Sequence, residues 1–480
     1  MIRQGSRLIR RPLVLALLAV ISTSVLLPAT AAAEDLLQTY ELARSGDPQL
    51  SAAESGRLAT REGAVQARAA LLPQVNGEAS YTKSRSDTES VDATPDGSGG
   101  VVFGPSKGES DTTARNLTVN ARQMLYDRGN FTRLQAQNAL SQASDFQLES
   151  AGDTLITRTS AAYFNVLVQL ETLAAAEASE TALKKQFDFA SKRLEVGLAP
   201  ITDVHEARAQ FDSARASTIL ARNAVEDAYQ ALVEITGQPV RNLKGLPADF
   251  QPELPAAPGA DGWVQSAVDN NPALRAKQLQ VQSAEANVET ARAGHWPSLY
   301  LNGSYGDRDV TGDRTSNNFT FPADSNSRGP SVGIVLSVPI FAGGAVQSGV
   351  RQALARRDVA GDKLEQQKRA LVRNTRNAYQ TLVAGVSEVE ARRLALFSAQ
   401  SAYDASQVGL EVGTRTVLDV LNNQRNLFTA QQANALARYN YLQNRLLLEQ
   451  QAGSLDVADV QDINRLLTVN APTPAAGANP

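Results

Sequence analysis

Hydrophobic and polar residues alternate one by one in four short stretches and are mixed in long Ala-, Leu-, Gln- and Arg-rich runs elsewhere. Val75, Gly77, Ala79 and Tyr81 alternate with Asn76, Glu78, Ser80 and Thr82. Leu117, Val119 and Ala121 alternate with Thr118, Asn120 and Arg122. Further on, Leu299, Leu301, Gly303 and Tyr305 alternate with Tyr300, Asn302 and Ser304, and Val332, Ile334, Leu336, Val338 and Ile340 form the cleanest apolar side. Successive side chains of a strand point to opposite faces, so a period of two predicts strands with one apolar and one polar face. Strands are predicted at 73–88, 113–126, 297–309 and 330–341. Each is long enough to supply the about 9–11 residues that cross a bilayer at a tilt. The polar stretches Asp87 to Asp111 and Gly306 to Pro330 are predicted as loops. Surface hairpins on a soluble domain are the competing reading, but they leave one face without a partner.

No proline interrupts the chain between Pro105 and Pro200, or between Pro339 and Pro472. The residues there favour helix. Long helices are predicted at 130–194, 201–236, 345–409 and 415–452, after a first helical segment from Asp35 to Ala70. At about 1.5 Å per residue, the 130–194 helix is about 95 Å long. Such a helix needs neighbours along its length, as in coiled coils. Patches such as Ala174, Ala175 and Ala176 permit close packing, while Gly349, Gly361 and Gly385 weaken the third long helix locally.

This grammar is written twice. Gly197 and Gly413, Asp203 and Asp419, and Gly237 and Gly453 are all 216 residues apart. Pro48 and Pro272, Pro73 and Pro297, and Tyr81 and Tyr305 are all 224 apart. A solenoid period would be roughly 20–50 residues, so a domain-sized unit has been duplicated. The first repeat is expected at 34–250 and the second at 251–466, joined through a Pro-rich stretch at 238–260. Residues 467–480 are expected to form a disordered tail.

Composition narrows the setting. Arg3, Arg7, Arg10 and Arg11 surround the start of an apolar run, Leu13 to Leu27, and Ala31 to Ala33 offer a small-residue cleavage site. Residues 1–33 therefore read as a cleaved secretory signal. Losing its four arginines takes the formal net charge from −4 to −8, which disfavours nucleic acid as a partner. The chain has no cysteine, so disulfides, thiol chemistry and a lipidated cysteine are all excluded. No later stretch reaches about 18 apolar residues, so any membrane crossing requires strands closed into a barrel. The two histidines, His205 and His295, have no partners at metal-ligand spacing. No cofactor is expected, and nothing resembles a catalytic set of nucleophile, base and orienting group.

Four strands cannot close a membrane barrel, since the smallest have about eight. Several chains must pool them. Three copies give about twelve strands, continued by long helices into a tube. The expected fold class is thus an α+β membrane protein: a trimeric composite β-barrel, four strands per chain, continued by an α-helical barrel with an internal two-fold repeat.

The chain also resembles the TolC family of outer-membrane efflux proteins. The matching segments are Asp35 to Arg44, Leu71 to Gln74, Tyr163 to Leu167, Val196 to Val204, Val338 to Gly344, Val412 to Leu421 and Ala437 to Leu442. They run in order along the whole mature chain. The resemblance implies an exit duct for tripartite efflux pumps and type I protein secretion. It implies a homotrimer in outer-membrane lipid that extends into the periplasm. Its partners would be a periplasmic membrane-fusion adaptor and an inner-membrane transporter of RND, ABC or MFS type.

Candidate site residues cluster where the long helices are interrupted. Val196, Gly197 and Leu198, and likewise Val412, Gly413 and Thr414, read as helical-hairpin tips, where glycine relaxes the turn. The resemblance adds adaptor docking there. Thr202, Asp203 and Asp419 follow the tips in the first turns of the returning helices. An acid there complements the helix dipole, typically by 0.3–1 kcal/mol. In a three-fold tube it would also form a ring of charge. By resemblance Asp419 belongs to the periplasmic aperture, and Asn422 stands where the family has a second acid. Arg415, Gln186, Asp203 and Thr202 match the residues that hold the family's entrance closed, while Leu410 replaces a tyrosine of that lock. The main alternative is a periplasmic coiled-coil adaptor or structural protein, which leaves the four alternating strands unexplained. A passive porin lacks the helical tube.

Overall fold

The computed structural model describes residues 35–95, 97–254, 259–316 and 319–472. The expected leader and residues 473–480 of the expected tail lie outside them. The chain runs α1 (Leu36–Gly46), α2 (Pro48–Ala69), β1 (Gln74–Pro95), β2 (Val101–Tyr126), α3 (Arg128–Glu195) and α4 (Ile201–Thr236). A connecting segment holds β3 (Lys244–Gly245) and α5 (Gly259–Asn270). Then follow α6 (Pro272–Arg292), β4 (Ser298–Ser316), β5 (Phe319–Pro322), β6 (Ser325–Ser337), α7 (Ala345–Glu411), α8 (Val417–Ala452), α9 (Val457–Leu466) and β7 (Val469–Asn470). The prolines at the 224-residue spacing have a local role: Pro48 and Pro272 open α2 and α6. Asp47 and Asn271 cap those helices by accepting from the backbone N–H of Leu50 and Leu274.

The long strands form one antiparallel sheet in the order β1-β2-β4-β6, with β5 continuing the β6 register on β4 beyond a break. The register sorts the side chains. Val75, Ala121, Gly303 and Val332 lie in one row, and Ala121, Leu301, Ile334 and Leu336 extend the same apolar face. Asn76, Asn120, Ser304 and Ser331 form a row of the opposite, polar face, with the Ser304 and Ser331 hydroxyls 2.8 Å apart. Val332, Ile334 and Leu336 are exposed although they are the most apolar run of the sheet. A lipid-facing wall has this pattern. The outer edges of β1 and β6 have no strand partner among the described residues.

Several boundaries differ from the sequence expectation. β1 and β2 are 22 and 26 residues long, so most of the expected loop from Asp87 to Asp111 is strand. β4 likewise continues through Ser316, and β5 and β6 take up much of the expected loop from Gly306 to Pro330. Beyond Tyr81 neither face is apolar, so the alternation fades while backbone pairing continues. Cross-strand ion pairs support the extension: Lys83 with Asp111 at 3.8 Å, Lys107 with Glu89 at 3.2 Å, and Arg85 with Glu109. β6 stops at Ser337 rather than 341, because Pro339 cannot donate to a ladder. α8 starts at Val417, two residues late, since Thr416 is its cap. The tail is ordered at its start: Leu467 is buried, β7 pairs with β3, and the Ala471 N–H donates to Leu243 O at 2.8 Å.

α3 and α7, at 68 and 67 residues, are each about 100 Å long. Nearest the sheet α2, α3, α6 and α7 lie side by side, and α3 packs against both α4 and α8 further along. The core is concentrated midway. Tyr163, Leu167 and Leu170 of α3, Leu232 of α4, Leu382 of α7, and Tyr439, Leu442 and Leu446 of α8 meet there. Val240, Leu243 and Leu246 of the connecting segment are buried in the same cluster. A polar network fixes that segment. Arg438 Nη2 reaches Glu171 Oε2 at 2.6 Å, and Arg438 Nη1 donates to Pro247 O at 3.1 Å. The Tyr439 hydroxyl donates to Glu171 Oε1 at 2.9 Å and accepts from Leu246 N at 3.3 Å. Burial, then the Glu171 charge, pushes the Tyr439 hydroxyl well above its usual range. No described helix is long and apolar enough to cross a membrane.

Candidate functional site

Both hairpin ends are built the same way. In the first, Gly197 N donates to Leu194 O at 2.9 Å and Leu198 N to Arg193 O at 2.8 Å. In the second, Gly413 N donates to Leu410 O at 3.2 Å and Thr414 N to Gly409 O at 2.8 Å. These are paired Schellman closures, and each needs a left-handed residue after the cap. Gly197 (φ 70°) and Gly413 (φ 78°) supply it. The adjoining apolar residues stay in solvent: Val196, Leu198 and Val412 are each 68% exposed. Three large aliphatic side chains on two turns form an apolar tip with no intrachain cover.

The returning helices start differently. Pro200 precedes α4 without a side-chain cap, and the Asp203 N–H donates to Pro200 O at 3.2 Å. α8 starts with a capping box: Thr416 Oγ1 accepts from Asp419 N at 3.2 Å, and Asp419 Oδ2 accepts from Thr416 N at 3.0 Å. The Thr416 hydroxyl also donates to Asp419 Oδ2 at 2.9 Å. The Thr416 backbone N–H, then its hydroxyl, holds the Asp419 carboxyl below the usual range, with a smaller contribution from Arg415. Asp419 is therefore a cap partner as well as a partly exposed anion. Asn422 is exposed, and its side-chain oxygen accepts from Arg425 Nη2 at 3.3 Å.

The expected lock residues are not brought together within one chain. Arg415 and Asp203 make no ion pair among the described residues, with each other or with any other group. Arg415 folds back over Gly409, where a Cβ would stand 2.6 Å from its Cγ. Thr202 is exposed on α4. Gln186 lies elsewhere, in a cleft of about 720 Å³ between α3 and the α7–α8 pair. Tyr403, Gln407, Leu410 and Gln424 line the same cleft. Gln186 Nε2 and Gln424 Oε1 are both buried without a hydrogen-bond partner. Two orphaned amide groups in one cleft are costly, about 1–3 kcal/mol each, unless something fills it. Sequence reading missed Gln424, whose burial carries no local signal. Nor does the Ala437 to Leu442 segment reveal by itself that Arg438 and Tyr439 reach Glu171.

Comparisons with known proteins agree with this geometry. Residues 39–238 and 263–454 match the outer membrane efflux protein family. Over 437 residues the chain is 33% identical to the outer membrane protein TolC of Vibrio cholerae serotype O1, a span of 91% of this chain and 94% of that one. It is 30% identical over 439 residues to the alkaline protease secretion protein AprF of Pseudomonas aeruginosa, covering 91% and 88%. Its fold matches the solved outer-membrane channel OprN with a TM-score of 0.70 at 21% identity, covering 87% of this chain and 90% of that one. With the family matched along both halves and a relative aligned over more than nine-tenths of both lengths, the chain belongs to the outer membrane efflux protein family.

Proposed function

We propose that three copies of this chain form an exit duct in the outer membrane that serves both efflux and type I secretion. The observation that carries this is the sheet: four long strands, an apolar outer face, two open edges, and helices about 100 Å long continuing from it. Open edges in lipid cost several kcal/mol per unpaired backbone group. Joining β1 of one copy to β6 of the next removes every edge and closes about twelve strands. The family's description and a relative's name point the same way, to efflux and to protease secretion.

The hairpin tips at Gly197 and Gly413 are the surface for a periplasmic adaptor, which joins the duct to an inner-membrane transporter of RND, ABC or MFS type. Asp419 and Asn422 line the periplasmic aperture. Arg415 makes no ion pair among the described residues and only a weak electrostatic contribution to Asp419, so it can bind Thr202 or Asp203 of an adjacent copy. One exposed pair contributes about 0–1 kcal/mol, and three acting together hold the entrance closed.

The duct itself is tested by heat-modifiable migration of the detergent-extracted protein and by conductance in planar bilayers. A monodisperse monomer that never enters lipid sinks it. The lock is tested by single-channel conductance of Arg415→Ala and Asp203→Ala. Both should open the entrance, and unchanged conductance in both removes the lock while sparing the duct.

A further inference from the structure

The polar face of the sheet is sparing with charge. Six successive positions of β1 on this face, from Ser80 to Ser90, all carry hydroxyls. The facing β2 positions from Ser106 to Asn116 are Ser, Gly, Ser, Thr, Ala and Asn. Arg122, at the inner end of the sheet, lies over the Tyr300 ring, and two further bases stand on β4. Arg308 shares a row with Asn116 and Ser327, and Arg314 shares one with Ser110 and Phe321. Both arginines are exposed, and neither makes a hydrogen bond or ion pair among the described residues.

Four of the five bases of the opposite face behave differently, Arg115 being the fifth. Lys83, Arg85, Lys107 and Arg328 are each ion-paired to a carboxylate on the neighbouring strand. The polar face offers no such carboxylate beside Arg308 or Arg314. Glu78 is two strands away, about 10 Å, and one row lower. Asp324, at the break between β5 and β6, accepts from the Gly312 N–H at 3.1 Å. Gly312 itself has to be glycine, because a Cβ there would stand 2.1 Å from Asp111 O.

We propose that Arg308 and Arg314 form a basic collar on the inner wall of the barrel, near its outer mouth, that binds soluble multivalent anions entering from outside. This rests on the duct reading, which makes the polar face the wall of the lumen. Three copies supply two rings of three guanidinium groups, about 20 Å apart along the strand. A ring of one sign inside a low-dielectric wall focuses its field across the water it encloses. Guanidinium groups favour phosphate and carboxylate, which they can bind with two parallel hydrogen bonds. Lipid is excluded as the source of these anions, because the residues face away from the apolar wall.

The test uses the purified channel in a planar bilayer with inositol hexakisphosphate as probe. Added on the extracellular side at about 0.1 M salt, where the screening length is about 10 Å, it should block the parent channel. The block should weaken at about 1 M salt, where that length is about 3 Å. Arg308→Ser/Arg314→Ser should lose at least about tenfold in blocking affinity, and the double Lys variant should keep most of it, since charge sets the field. Equal block of the parent and the Ser variant overturns the collar. A conducting parent channel that the probe does not block also overturns it, without reference to any variant, and leaves the duct standing. Failure to conduct at all strikes the duct instead.

Discussion

Replacing Arg438 by methionine isolates the clamp that ties the connecting segment to α3 and α8. The Arg438 side chain is 9% exposed and its guanidinium lies 2.6 Å from Glu171. Removing one member of a buried pair costs about 3–5 kcal/mol, because the other is left charged and unpaired. Glu171 is 24% exposed, so water reaches the orphaned carboxylate and the low end of that range, about 3 kcal/mol, applies. Methionine fills similar volume, which keeps the cavity contribution small. A protein of this size in detergent unfolds irreversibly, so the proper measure is a rate at fixed temperature. If the pair is already broken at the barrier, about 3 kcal/mol shortens the half-life roughly 150-fold, at about 1.4 kcal/mol per decade. The assay follows loss of helical circular dichroism with time. Glu171→Gln should be nearly as damaging, and Glu171→Gln/Arg438→Met should recover at least half of the loss, as neighbouring groups are non-additive. An Arg438→Met half-life within about threefold of the parent, or a double variant equal to the sum of the singles, refutes the reasoning.

Three further outcomes are expected. Burial, with Glu149 and Asp456 nearby, raises the Asp153 carboxyl to about 7, and burial with Asp459 does the same for Glu449 against the opposing pull of Arg445. Both favour the protonated form in the folded protein, so their stabilisation is full below pH about 4 and is lost as pH rises through about 7. Thermal half-lives at pH 5 and pH 8 should show this, and Asp153→Asn should flatten the profile. Gly197→Ala and Gly413→Ala force a left-handed alanine at about 1–2 kcal/mol each. Amide exchange should rise in the last turns of α3 and α7, while the midway core stays protected. On the sheet, Ile334→Lys places a charge in lipid at about 2–4 kcal/mol near the midplane and should abolish heat-modifiable trimers, whereas Gly333→Lys on the polar face should preserve them.

The alternation of Val75 to Tyr81 and of Val332 to Leu336 exposed the strands because lipid on one side and water on the other enforce a period of two. Above that belt both faces meet water, the constraint lapses, and Asp87 to Pro95 looks like a loop although it is paired throughout. The hairpin glycines were legible because the closing turns require positive φ. The encounter of Glu171 with Arg438 was not, since 267 residues separate them and each looks like an ordinary helix-surface charge. Gln186 was visible only through resemblance, and its orphaned neighbour Gln424 not at all, because burial between two hairpins leaves no mark on either helix alone.

The two bare sheet margins also have a genetic meaning. A strand edge that must be satisfied by a sibling makes each ring only as sound as its worst member. A chain that keeps one good margin and spoils the other can still join a ring, and then leaves it unsealed. Where sound and spoiled chains are made in equal amounts and mix at random into threes, only about one-eighth of the rings contain no spoiled member. Lesions at Gln74 to Pro95 or Ser325 to Ser337 should therefore be dominant, whereas lesions that stop the chain folding at all should be recessive.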